Sequence, residues 1–150
     1  MKINILKAIF AGILGTIAIT IVASMGAPLM GFPKMDIPGM LTGVMGGVVL
    51  FGWFAHFMVG MVLAVGYALV QGQLPGPAAI RGALYGWAPW LVAQIAVMPM
   101  MGMGFFSGAF SPALGSLMGH LVYGAVVGLV YSNGSRSISP CEPKRTTCGC

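Results

Sequence analysis

GWFAHFMVGMVLAVGY, residues 52–67, and SLMGHLVYGAVVGLVY, residues 116–131, are two versions of one pattern. Each carries a histidine (His56, His120), a glycine four residues on (Gly60, Gly124) and a tyrosine eleven residues on (Tyr67, Tyr131), with no charged side chain between. Val, Leu, Met and Gly dominate both, which is the composition of a helix in lipid, where glycine is more frequent than in water-soluble helices. Eleven residues is close to three helical turns, so each histidine shares a face with its tyrosine, about 16 Å away along the axis.

Working outward, a hydrocarbon core about 30 Å thick requires about 20 apolar residues per helix. Four runs qualify, at about residues 5–26, 41–70, 79–101 and 112–131. Turn chemistry separates them: Pro28, Gly31, Pro33, Pro38 and Gly39, then residues 71–77, then Gly102, Gly104, Ser107, Gly108 and Pro112. The second run is longer than a span needs, so its glycines (Gly43, Gly46, Gly47) belong at the interface or to a tilted helix. The first exceeds the apolar core of a signal peptide, about 7–15 residues, and is read as a span. Composition agrees: 58% of the chain is hydrophobic and 6% charged, against about 25% charged in a soluble domain. The expected fold is all-α, a polytopic membrane four-helix bundle over residues 1–132, followed by a disordered cytoplasmic tail, residues 133–150, rich in Ser, Pro, Lys, Arg and Thr.

The odd-numbered spans match more loosely. Gly15 pairs with Gly86, and Pro28-Leu29-Met30-Gly31 with Pro99-Met100-Met101-Gly102. The bundle is therefore expected to consist of two parallel two-helix repeats, about residues 5–70 and 79–132, with a longer first loop absorbing the difference in offset. Parallel repeats are related by an axis along the membrane normal. His56 and His120 then lie at one depth near mid-membrane, and Tyr67 and Tyr131 near one interface. Lys2, Lys7, Arg81, Arg136, Lys144 and Arg145 fall on one side and Lys34 alone on the other. By the positive-inside rule both termini are cytoplasmic, in a multi-pass protein of the cytoplasmic (inner) membrane. The same charges sit at helix ends and in the tail, without a stacking surface, so no nucleic acid is expected as a partner. The expected partners are the lipid bilayer and either further copies of the chain or a larger membrane complex.

Asp36 and Glu142 are the only carboxylates, which excludes chemistry that needs paired acids. No phosphate-binding loop, metalloprotease motif or nucleophile elbow occurs, and no enzymatic activity is expected. An ionisable side chain within the hydrocarbon marks a functional site by default. His56 and His120 are the only histidines, flanked at four residues by Gly52 and Gly60 or by Ser116 and Gly124. Facing imidazoles with small neighbours suit haem b or copper, as in an accessory to respiratory electron transfer or oxidase assembly. Soft sulfur lies at both ends: Met25, Met30, Met35, Met40, Met98, Met100, Met101 and Met103 on the outer side, Cys148 and Cys150 on the inner. That arrangement would suit a transporter or channel for a copper-like soft metal or a small solute. It is analogous to the small copper-transporter family, but has four spans rather than three and no Met-x-x-x-Met within a helix. A third reading is structural: each imidazole hydrogen-bonds across helices to Gln94, Thr20, Ser24 or the other histidine. Glycines four apart (82/86, 43/47, 115/119, 124/128) invite close helix packing, Pro89 is expected to kink the third span, and Trp87 and Trp90 suit an interfacial belt.

With Pro28-Leu29-Met30-Gly31, Pro99-Met100-Met101-Gly102 and Gly119-His120-Leu121-Val122-Tyr123-Gly124, the chain resembles, over about residues 5–132, an uncharacterised family of small four-helix integral membrane proteins of bacteria and archaea. The resemblance implies the four-helix fold and the membrane location, and it supplies no activity.

The charge bias makes one outcome explicit. In intact cells, a cysteine at Lys34 should react with an impermeant maleimide, and one at Gln73 should react only after permeabilisation.

Overall fold

The computed structural model describes residues 3–132, within which every regular element is helical. Helix α1 spans Ile5–Leu29, α2 Ile37–Val44 and α3 Val49–Val70, which is extended by a 3-10 turn at Gln71–Gln73. Helix α4 covers residues 78–100, as Ala78–Val92, a π-turn at Ala93–Val97 and Met98–Met100. Helix α5 spans Phe110–Ser132.

Asn4 starts α1 by accepting a hydrogen bond from the Lys7 amide, 3.0 Å. The helix then runs through Pro28, which the sequence places after its end. A proline has no N–H, and α1 accommodates it with a π-turn at Val22–Gly26, in which the Ala27 amide reaches back to Val22. The next carbonyl in that register, Ala23, is met from outside the helix by the Met35 amide at 3.2 Å. Helix α4 repeats the device 71 residues later. Met98 bonds back to Ala93, Pro99 follows, and Gly102 (φ 76°) turns the chain as Gly31 (φ 84°) does. Both helices close with the same bond, Phe32 to Ala27 (2.9 Å) and Met103 to Met98 (3.0 Å).

The second apolar run does not form one helix from residue 41. Asp36 caps α2 through the Gly39 amide (3.0 Å), α2 stops at Val44, and Gly46 and Gly47 take positive φ (79° and 84°) before α3 begins at Val49. Only glycine adopts that conformation without strain, so these residues end one helix and begin another. Pro89 lies inside α4.

Helix α1 is the central element. It packs on α3 and α5, α5 packs on α4, and α2 lies on α3, whereas α3 and α4 barely meet. The order around the molecule is therefore α3–α1–α5–α4. The α4–α5 seam is built from glycines: a Cβ on Gly82 would fall on the Gly124 carbonyl, one on Gly124 on the Gly82 carbonyl, and one on Gly86 on the His120 carbonyl. Gly12 sets α1 against α3, where its Cβ would come within 2.8 Å of the Met61 Cα. Such contacts drive helix association in lipid, where apolar side chains gain nothing by leaving their surroundings. Gly43 and Gly47 meet no neighbour. At the end bearing Lys7 and Arg81, Tyr67 and Tyr131 are buried edge-to-face, with ring centroids 6.2 Å apart.

Three helices, Ile5–Leu29, Val49–Gln73 and Phe110–Ser132, are long and apolar enough to cross a membrane, which points to a membrane protein. Their outer faces agree: Leu6, Phe10, Ile21, Phe54, Val62 and Phe110 are all exposed, a surface suited to lipid.

Gly124→Leu should destabilise the protein by about 1–3 kcal/mol or prevent its folding. Gly43→Ala, in open space, should leave thermal unfolding in detergent unchanged; comparing the two melting curves checks the seam.

Candidate functional site: an apolar cavity between the second and third long helices

Because α3 and α4 diverge, a cavity of about 440 Å³ opens between them. Helix α1 supplies its back wall with Thr16 and Ile19. Helix α3 contributes His56, Val59, Gly60 and Leu63, and α5 contributes Ser116, His120 and Tyr123. Helix α4 lines it from Tyr85 to Met101, and the segment from Met35 to Leu41 closes the end nearer α2. Val59 and Val92, which line it from opposite sides, are 53% and 60% exposed, so the cavity opens at the surface between α3 and α4. Tyr85 closes the other end by donating its hydroxyl to the Leu63 carbonyl at 2.9 Å. The walls are almost wholly apolar, and the volume lies within the range of about 300–1,000 Å³ typical of small-molecule sites.

Both histidines line this cavity, in opposite tautomers. On α1, Thr16, Thr20 and Ser24 each donate a hydroxyl to the carbonyl four residues back, at 2.8, 2.7 and 2.7 Å. For both contacts of Thr20 Oγ1 to be hydrogen bonds, its one hydrogen goes to the Thr16 carbonyl and His56 Nε2–H donates to the oxygen across 2.9 Å. The lone pair of His56 is then on Nδ1. His120 Nδ1 lies 2.9 Å from the Ser116 carbonyl, which can only accept. His120 is therefore protonated on Nδ1, and in the neutral ring Nε2 carries the lone pair. His56 is nearly buried, whereas His120 is half-buried on the cavity wall.

A second polar network stands behind Ser116. Gln94, fully buried in the α4 π-turn, donates to Ser116 Oγ (3.2 Å) and accepts from Ser107 Oγ (2.9 Å). Ser107 and Phe106 hold positive φ (58° and 53°) in the turn before α5, a conformation rare for side chains of this kind. Trp90 is buried rather than interfacial and donates to the Ala113 carbonyl at 3.1 Å, whereas Trp87 remains exposed.

The residues singled out in the sequence separate into groups. His56, His120, Gly60, Met98 and Met101 line one cavity, joined there by Met35 and Met40. Met100 points away and is 86% exposed. The glycines serve helix contact: Gly60 lies against the Thr16 side chain and Gly124 against the Gly82 backbone. Cys148 and Cys150 lie outside the described residues. Tyr85 and Tyr123 were not legible as site residues. Tyr123 donates its hydroxyl to the Gly60 carbonyl, tying α5 to α3 behind the histidines. Its place three residues after His120, on the same helical face, was the available signal. Among the described residues no group of three or more His, Cys, Asp or Glu side chains converges.

Fold and site together define an all-helical, membrane-type protein with a laterally open apolar cavity and two polar imidazoles in its wall. The chain belongs to a family of unknown function (DUF6789), whose model matches residues 3–138. No curated protein and no solved structure matches the chain.

Thr20→Val should cost about 1–2 kcal/mol by stranding His56 Nε2–H inside the protein. Thr20→Ser, which keeps the hydroxyl, should restore most of the loss in detergent unfolding curves.

Proposed function

We propose that this protein is a multi-pass binding protein of the inner membrane, and that its cavity takes up a lipophilic small molecule from the bilayer. The observation that carries the reading is the opening between Val59 and Val92, which gives an apolar cavity access to the surface that faces lipid. The four long helices are proposed to form a four-span bundle. Helix α4 is the least apolar, with Arg81 and Gln94, but it packs lengthwise on α5 and is nearly as long as α1. Two features support a two-fold repeat: the π-turn, proline and left-handed glycine recur 71 residues apart in α1 and α4, and the repeated histidines line one cavity. Lys7 and Arg81 at one end and Lys34 at the other support termini on the cytoplasmic side.

The reading is of binding or carriage rather than catalysis. Haem is the weaker occupant. A bis-imidazole ligation through Nε2 would require His56 to leave Thr20, and among the described residues no Lys or Arg lines the cavity to balance the propionates. A copper-like soft metal is favoured by a different observation: four thioethers, from Met35, Met40, Met98 and Met101, line the cavity together with His120, whose Nε2 carries a lone pair. Thioether and imidazole are the ligands such an ion prefers.

Native mass spectrometry of protein extracted in mild detergent should reveal a co-purifying lipophilic molecule. Ala88→Trp, which fills the cavity, should lose it; retention of the same adduct by that variant would remove the basis for the proposal. If the soft-metal reading holds instead, Cu(I) titration against a colorimetric chelator should show about tenfold weaker binding in Met98→Leu with Met101→Leu.

A further inference from the structure

The polar atoms on the cavity wall restrict what it can recognise. Thr16 gives its hydroxyl hydrogen to the Gly12 carbonyl, Tyr85 to Leu63 and Tyr123 to Gly60. His56 gives its Nε2 hydrogen to Thr20. Those four donors are committed inside the protein. On α5, however, Ser116 Oγ receives a hydrogen bond from Gln94, and its own hydrogen has no acceptor among the described residues. One turn further on, His120 directs its Nδ1 hydrogen into the Ser116 carbonyl and is left with a lone pair on Nε2. On α5, one donor and one acceptor thus stand four residues apart on the same helix face, while His56 on α3 keeps its own lone pair on Nδ1.

Building on the proposed uptake of a lipophile, we infer that the cavity selects a molecule with a hydroxyl head, a lipophilic phenol, quinol or alcohol, over its carbonyl or ether counterpart. A hydroxyl uses both groups, donating to His120 Nε2 and accepting from Ser116. A carbonyl or an ether oxygen can accept from Ser116 but leaves the His120 lone pair facing apolar surface, which penalises the complex. The head then sits between α3 and α5 beside the histidines, and the apolar remainder lies along α4 from Ala88 to Val97 and leaves past Val92.

The test uses the full chain in lipid nanodiscs and a matched pair of probes, 4-decylphenol and its methyl ether, with affinities measured by titration. The phenol should bind about tenfold more tightly, the factor expected from one well-made buried hydrogen bond. His120→Phe should weaken the phenol to the level of the ether and leave the ether unchanged. Ser116→Ala, which keeps the carbonyl that holds His120, should weaken both probes by a similar factor and preserve their ratio. Equal binding of the two probes by the unaltered chain would overturn the hydroxyl selectivity while leaving the uptake of lipophiles standing. A preference that survives in His120→Phe would overturn the role of His120. Binding of neither probe would overturn the selectivity together with the reading on which it rests.

Discussion

Backbone groups inside a bilayer find no water, so every carbonyl a helix releases must be met by the protein, and two helices can touch closely only where side chains are nearly absent. The α4–α5 seam follows from that constraint. Gly82, Gly86 and Gly124 bring backbone against backbone so closely that a single methyl group would not fit. With α4 held against α5 and α3 held against α1 through Gly12 and Gly60, nothing draws α3 towards α4. The cavity is what remains between them, closed at one end by Tyr85 and covered near the other by the segment that includes α2. The same constraint explains the Met35 amide at Ala23, which meets the carbonyl freed by Pro28, and the hydroxyl ladder of α1, in which each hydroxyl finds an acceptor on its own helix.

The two halves are alike in backbone and unlike in chemistry. Both contain a π-turn before a proline, and both place a histidine on the cavity wall. His56 is tied to a neighbouring helix, whereas His120 is tied to its own backbone and keeps its outer nitrogen free. The difference arises from α1, which carries threonine at residue 20, where α4, 71 residues on, has Leu91. One histidine thereby contributes to holding α1 and α3 together, and the other is available to a guest. A His56 tied to α1 beside a His120 with a lone pair on Nε2 suits recognition of a single polar head better than symmetric ligation of a metal or a haem.

Much of this was legible from the residues. Three of the four apolar runs correspond to helices long and apolar enough to cross a membrane, the second only from Val49 on, and the third run corresponds to the less apolar α4. The His–Gly–Tyr spacing identified the two faces that turn inward, and Tyr67 and Tyr131 do meet. Other features depended on tertiary context. Pro28 looks like a stop signal, and only the π-turn and the distant Met35 amide allow the helix to continue. Gly43 and Gly47 have the same spacing as Gly124 and Gly128, yet lie in open space beside a turn, since spacing alone does not say whether a partner is present. Which methionines face the cavity, and that His56 meets Thr20, depend on neighbours far away in the chain, whereas His120 is oriented by the Ser116 carbonyl only four residues back.

The most direct measurement is to photolabel the protein in bilayers with a diazirine-bearing alkylphenol and map the adducts by peptide mass spectrometry. The account predicts adducts concentrated on residues 88–98 and 116–123, displaced by excess unlabelled phenol and lost in Ala88→Trp. Adducts spread evenly over the lipid-facing residues of α1, α3 and α5, indifferent to competition, would contradict it.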